Sequence, residues 1–205
     1  MTDVAVIGSG NVGGTLARAL SRAGHRISLG ARDPDKPEVR ERAQELGAEA
    51  ASVAEAVRSS SVVLFAIPGS AMAETVGALG TALDGKIVID TTNNVGAPVV
   101  NSHAAIAEAA PGASYVRAFN TVGWEVLNAP VVDGVQADLF FCAPDGDARA
   151  TAEGLIADVG LRPVWVGGPE EADTVDRLLD LWLTLVRKRQ LGRRLALKMI
   201  RETPS

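Results

Sequence analysis

The sequence is poor in aromatic residues, holds one cysteine and lacks any long apolar run. Phe, Trp and Tyr make up 4% of its 205 residues, so a core must come from Ala, Val and Leu packed at close range. Cys142 is the one cysteine; an intramolecular disulfide is excluded and a reducing, cytoplasmic setting is expected. No apolar stretch approaches the ~18 residues of a membrane span, so no membrane partner is expected. The chain opens directly into VAVIGSG, without the basic flank and cleavage site of a signal peptide. G-x-S-x-G, H-E-x-x-H and Cys/His metal spacings are absent, so no metal site is expected. A net charge of −5 argues against a general nucleic-acid binder.

What is present is a 47% hydrophobic chain of a size that can bury about 70% of its unfolded surface in one core. Short β-branched runs alternate with helical segments. DVAVIG, HRISLGA, SVVLFAIP, KIVIDTT, SYVRAFN, ADLFFCAP and RPVWVGG read as strands, with a weaker one near 48–51. Helices are expected over Val12–Ala23, Glu38–Glu45, roughly Ser70–Leu83 and Asp147–Val159. Val and Ile dominate the strands without clean alternation, as in sheets covered on both faces. The fold class is therefore α/β, a Rossmann-type, doubly wound, mainly parallel sheet. Residues 1–168 form this domain, and 169–205 a helical extension of it. In the extension Val175, Leu178, Leu179, Trp182, Leu185 and Val186 share one helical face, suited to covering the sheet or to a homodimer. A basic stretch, 187–194, and a final short helix carrying Leu195, Leu197 and Ile200 follow.

Gly8, Gly10 and Gly13 spell G-x-G-x-x-G between the first strand and the first helix, the context in which that pattern binds a dinucleotide. Gly8 allows the tight turn, Gly10 the approach of a pyrophosphate and Gly13 close helix–strand contact. The amides of Asn11 and Val12 then face the phosphates; the bland alternative is a glycine-rich turn without a ligand. NAD sites usually place a carboxylate about 20 residues on, at the end of the second strand. Here Gly30-Ala31-Arg32 puts a guanidinium there, able to bind a 2′-phosphate, with Lys36 as a second positive charge. Asp33 can pair with Arg32 or repel phosphate, and Arg32 can also be a solvated loop residue. NADP(H) is the expected cofactor.

Three further polar or Pro/Gly-bearing segments follow later strands: Ile67-Pro68-Gly69, Thr91-Thr92-Asn93-Asn94 and Asn120-Thr121-Val122-Gly123. In open α/β sheets ligands bind beyond the carboxyl ends of strands, so these turns are candidates for lining a nicotinamide and a flat acceptor ring. Ordinary Asn/Thr/Gly turns are the alternative. His25 and His103 read as polar connectors and Cys142, inside LFFCA, as a buried inert thiol. No catalytic acid or base stands out, which suits hydride transfer to a flavin-like ring, where positioning matters most.

VAVIGSGNVGGTLARALSRAGHRISLGARDP resembles the opening of the NADPH-dependent coenzyme F-420 reductases, or F-420:NADP oxidoreductases. The likeness continues through VVLFAIPGSA, KIVIDTTNNV, YVRAFNTVG and the closing GLRPVWVGGPEEADTVDRLLDLW and LGRRLALKMI. It implies that Ser9, Gly10, Asn11 and Val12 hold the pyrophosphate and that Ala31, Arg32 and Lys36 hold the 2′-phosphate. The family often has Ser where Ala31 stands. Ile67 and Ala71 match positions beside the nicotinamide, and Leu195 matches a tail residue folding back toward the cofactor. The implied reaction is hydride exchange between nicotinamide C4 and C5 of coenzyme F-420, a 5-deazaflavin. AFNTV is also similar to the reductase domain of STEAP-type metalloreductases, where the ring is a flavin. A flavin or another small molecule is thus the alternative electron acceptor, and a non-catalytic NADP(H) sensor is the reading from a different class. The basic tail is either a solvated face or, through Arg193 and Arg194, a holder for the acidic side chain of coenzyme F-420.

Overall fold

The computed structural model describes residues 1–202. In chain order, β1 (Asp3–Ile7), α1 (Asn11–Arg22), β2 (Arg26–Ala31), α2 (Pro37–Leu46) and β3 (Glu49–Ser52) form the first half of the nucleotide-fold pattern. Next come α3 (Val53–Ser59), β4 (Val62–Phe65), α4 (Met72–Leu79), β5 (Ile87–Asp90), α5 (His103–Ala109) and β6 (Ser114–Arg117). The chain closes through α6 (Trp124–Asn128), a small hairpin of β7 (Val131–Val132) and β8 (Val135–Gln136), then β9 (Asp138–Cys142), α7 (Asp147–Asp158), β10 (Arg162–Gly167) and α8 (Ala172–Leu183).

The main sheet has the order β10-β9-β6-β5-β4-β1-β2-β3. Strands β1 to β6 are parallel, in the arrangement of a doubly wound dinucleotide fold. β9 and β10 run parallel to each other, and β9 meets β6 antiparallel at the single pair Arg117–Cys142. The register puts one residue from each strand end in a row across the sheet: Gly30, Ile7, Phe65, Asp90, Arg117 and Cys142. Every loop expected to bind ligand departs from that row.

Two apolar layers enclose the sheet. One joins Leu16, Leu20, Leu46, Val126, Leu155 and Ile156 to the sheet, so α1, α2, α6 and α7 cover that face. The other joins Val57, Met72, Val76, Ile106 and Val175 to it, so α3, α4, α5 and α8 cover the opposite face. Ala5, Ala17 and Ala56 are wholly buried, consistent with close packing in a chain short of aromatics.

Several local expectations need correction. The helix over 70–83 is broken into 3₁₀ turns at Gly69–Ala71 and Gly80–Leu83 around α4; Gly80, at φ 50°, turns the chain out of the helix. α3 was not expected, although Ser52 and Glu55 form a capping box at its start. Seven residues give too short a period to read. The final helix over 195–200 does not form. Gly192, at φ 81°, follows the end of α8 and its π-helical continuation Thr184–Lys188. The residues after it run without regular structure toward the start of β9.

Candidate functional site

The turn after β1 has the close packing that its glycines imply. Gly8 sits at φ 108°, and a Cβ there would lie 2.4 Å from the Ala66 carbonyl oxygen. A Cβ on Gly13 would lie 2.0 Å from the Gly8 carbonyl oxygen. Gly10 differs: its φ is −66°, and an added Cβ would meet nothing within 4 Å. Gly10 is also the N-cap of α1 and supplies no side-chain cap. The first-turn amides, those of Asn11 and Val12 included, therefore have no intrahelical acceptor. Exposed Ser9, Gly10 and Asn11 put this positive helix end at an open cradle, which suits an anion.

A cavity of about 700 Å³ adjoins this turn, between the carboxyl ends of β1, β2 and β4. Gly8, Arg32, Ile67, Pro68 and Ala71 all line it, beside Gly30, Val53 and Thr75. Residues far apart in sequence are thus brought to one wall because their strands are neighbours. Ala31 ends β2, half-buried, in register with Ser52. Asp33 pairs with Lys36 at 3.9 Å, and Arg32 forms no ion pair among the described residues. Lys36, exposed at the N-cap of α2, is not among the residues lining the cavity.

Asn93, Asn120 and Thr121 belong to a second cluster, beyond β5 and β6. At its centre Arg117 is wholly buried. Its Nε and Nη2 donate to Asp176 Oδ1 at 2.9 and 2.7 Å. Its Nη1 donates to the Thr92 carbonyl at 2.5 Å, and Nη2 to Asn93 Oδ1 at 2.8 Å. Asp90 completes the ion cluster, 3.3 Å from Arg117 Nη1. Asp90 also accepts from the Thr92 and Ser102 amides, the Thr92 hydroxyl and the Tyr115 hydroxyl. One guanidinium therefore faces two buried carboxylates. Burial raises Asp176 above the ordinary carboxylate value despite Arg117. Burial, then the charge of Asp90, pushes the Tyr115 phenol well above its ordinary value. Asn93 Nδ2 donates to the Asn120 carbonyl at 3.1 Å, and Asn120 Nδ2 to Asp176 Oδ1 at 3.0 Å.

Sequence reasoning overlooked this cluster. The signal was there: Asp90 ends an apolar strand, Arg117 lies in another, and Asp176 sits beside Val175 in the apolar part of α8. The backbone is unusual here too, with Phe119 at φ 61°, a conformation uncommon for a bulky residue. Asn120 Oδ1 and Thr121 Oγ1 are buried without a hydrogen-bond partner among the described residues. The two clusters meet where Gly69 packs on Asn94: a Cβ on Gly69 would lie 2.6 Å from the Asn94 amide nitrogen.

The remaining candidates do not line the cavity and make no hydrogen bond to the polar pair Asn120–Thr121 among the described residues. His25 accepts from the Thr2 amide and pairs with Asp158 at 2.9 Å. His103 stacks on Tyr115 with ring centroids 4.6 Å apart. Burial pushes the Cys142 thiol up to about 12, leaving it protonated at neutral pH. Leu195 is not among the cavity-lining residues; its carbonyl accepts from Trp182 Nε1 at 2.9 Å. Arg193 pairs with Glu125, while Arg194 donates to the Val131 carbonyl. Both are thus engaged with their own chain.

Residues 3–94 match the family model described as NADP oxidoreductase, coenzyme F420-dependent. The chain is 27% identical to an F420-dependent NADP reductase of Methanothermobacter marburgensis, over 89% of this chain and 91% of that one. Among solved structures, a protein of Arthrobacter sp. FB24, provisionally named an F420-dependent NADP-reductase, superposes with a TM-score of 0.84 at 24% identity. That alignment covers 98% of this chain and all of the other. A hypothetical protein from Sinorhizobium meliloti is 29% identical with a TM-score of 0.68, over 82% and 86% of the two chains. These findings bear out the resemblance read from the sequence.

Proposed function

We propose that this chain, a member of the F420-dependent NADP oxidoreductase family through its residues 3–94, exchanges hydride between NADP(H) and coenzyme F-420. The observation that carries the nucleotide half is the cavity lined jointly by Gly8, Arg32, Ile67, Pro68 and Ala71. In this reading the amides of Ser9 to Val12 hold the pyrophosphate, with Gly13 letting α1 approach the strand. Arg32, with no carboxylate paired to it among the described residues, takes the 2′-phosphate. Ala31 supports the same end, and Lys36 adds long-range positive charge. Ile67 and Ala71 flank the dinucleotide on its way to Asn93, Asn120 and Thr121.

The bound nicotinamide supplies the hydride; the residues of this chain orient it. The buried titratable groups beside the site, Asp90, Asp176 and Tyr115, are tied into the Arg117 cluster rather than offered to a substrate. That arrangement suits hydride exchange between two rings, which needs alignment more than a protein proton donor.

The test is a spectrophotometric assay of NADPH with oxidised coenzyme F-420. Loss of the deazaflavin absorption band at a catalytic rate is expected. Absence of loss, with NADPH binding verified in the same sample, transfers the assignment to a flavin acceptor or to a sensor. Arg32→Ala is expected to weaken NADPH binding roughly tenfold to a hundredfold, as for a lost charge-assisted hydrogen bond, with little effect on NADH. Equal loss for both nucleotides would show that Arg32 does not select the 2′-phosphate.

A further inference from the structure

We propose that Asn120 Oδ1 and Thr121 Oγ1 form a receptor for a planar amide, that is, an N–H donor beside a carbonyl. The inference rests on the nucleotide-site reading above. Two groups carry that chemistry: the carboxamide of the nicotinamide ring and the imide edge of a deazaflavin.

The orientation of Asn120 follows from its neighbours. A carboxylate only accepts, so the amide nitrogen of Asn120 must face Asp176, at 3.0 Å. Its oxygen then points away from Asp176. Asn93 is fixed likewise: its oxygen accepts from Arg117 and its nitrogen donates to the Asn120 carbonyl. Both the backbone and the side chain of Asn120 are therefore held from below by the Arg117 cluster.

What is held there is incomplete. Asn120 is 2% and Thr121 3% exposed, yet Asn120 Oδ1 and Thr121 Oγ1 have no partner among the described residues. Buried polar atoms are nearly always paired. The left-handed Phe119 immediately before them adds backbone strain of the kind that gathers at ligand sites. An oxygen of Asn requires a donor, and a hydroxyl can give its hydrogen to a carbonyl. A planar amide answers both. A phosphate or carboxylate offers no donor to Asn120, and an apolar group offers neither. Gly69, which follows Ile67 and Pro68, packs on Asn94, next to the Asn93 side chain that donates to the Asn120 carbonyl.

The experiment titrates the full chain calorimetrically with 2′,5′-ADP, NADP⁺ and the 3-acetylpyridine analogue of NADP⁺, in which a methyl ketone replaces the carboxamide. Thr121→Val removes the hydroxyl and keeps the shape; Asn120→Ala removes the acceptor. Thr121→Val is expected to melt no lower than the parent, because the hydroxyl it removes has no partner among the described residues. Its affinity for NADP⁺ and for the analogue, which keeps the carbonyl, falls about fivefold to tenfold alike. Asn120→Ala weakens NADP⁺ by a similar factor but the analogue, which lacks the N–H donor, far less, and 2′,5′-ADP is unaffected in both. A merely structural role would instead lower the melting temperature of Thr121→Val and leave the parent's discrimination between NADP⁺ and its analogue intact in Asn120→Ala. If the occupant is the deazaflavin edge, all three nucleotides keep their affinity and the KM for coenzyme F-420 rises by a similar factor. Unchanged NADP⁺ affinity and unchanged acceptor KM in both variants, with 2′,5′-ADP still bound, would overturn the proposal and leave only water at the pair. Failure of the parent protein to bind 2′,5′-ADP would overturn the nucleotide-site reading itself.

Discussion

Gly10 and Gly13 occupy the same short motif and do opposite things. Gly13 is where α1 touches the turn after β1, and a methyl group there would fall 2.0 Å from a backbone oxygen. Gly13→Ala is therefore expected to cost about 3 kcal/mol, the upper part of the usual overpacking range, and to lower the melting temperature before any ligand is added. Gly10→Ala has room for its methyl and an ordinary φ. Losing glycine at an N-cap costs about 1 kcal/mol, so its melt should shift by only a few degrees. On the function proposed above, its affinity for NADP⁺ should fall much further, because the methyl would project into the open cradle at the start of α1. Thermal melts and nucleotide titrations of the two variants separate packing from binding within one turn. The packing role of Gly13 was legible in the sequence because it follows from a local spacing. The roles of Arg117 and Asp176 were not. They lie 59 positions apart, and nothing in either segment names the other. A lone charge in an apolar run signals only that some partner exists.

Among the elements, the closing segment differs most from its sequence pattern. Leu195, Leu197 and Ile200 suggest a helix, yet the tail is held through its backbone. The Leu195 carbonyl meets Trp182 Nε1, the Leu197 carbonyl meets the Asp138 amide, and the Met199 amide donates to Asp138 Oδ2 at 2.7 Å. Such bonds leave no trace in side-chain periodicity. Asp138 anchors the arrangement, with Arg162 and Lys198 also bonded to its carboxylate. Burial alone would raise its pKa; the bonds from Arg162, Lys198 and the Met199 amide outweigh that and hold it at about 2. A carboxylate whose folded pKa lies below its unfolded value of 3.8 stabilises the fold above that value and ceases to as pH falls through about 2. Hydrogen exchange at 195–200 should therefore accelerate across that acid window. Asp138→Asn should produce the same local loosening at neutral pH; protection unchanged in both experiments would remove Asp138 from this role. α1, β1 and β2 were readable because burial on both faces and helical period agree there. α3 and α6 are too short to show a period, and the hairpin of β7 and β8 is almost wholly exposed.

For the whole molecule, the row from Gly30 to Cys142 explains why the site is where it is. Parallel strands in register deliver their carboxyl ends, and hence their loops, along one edge of the sheet. α8 returns to that edge and contributes Asp176, while Val175, Leu179 and Trp182 are buried within the chain. The apolar face that suggested either sheet cover or a homodimer thus has a partner in its own core. We expect a chain ended at residue 168 to lose its cooperative thermal transition. It would expose the face beneath α8 and leave Arg117 without Asp176, and breaking a buried ion pair alone costs about 3–5 kcal/mol. A sharp melt near that of the full chain would show instead that residues 169–205 are dispensable for folding. The two outermost strands bear on another matter. β3 has only four residues. β10 carries Pro163, which has no amide hydrogen to give, and Arg162 at its start is bonded to the tail at the Met199 carbonyl. Both margins of the sheet are thereby poor templates for an incoming strand, so crowded or heated solutions of this protein should resist growing into sheet-extended aggregates.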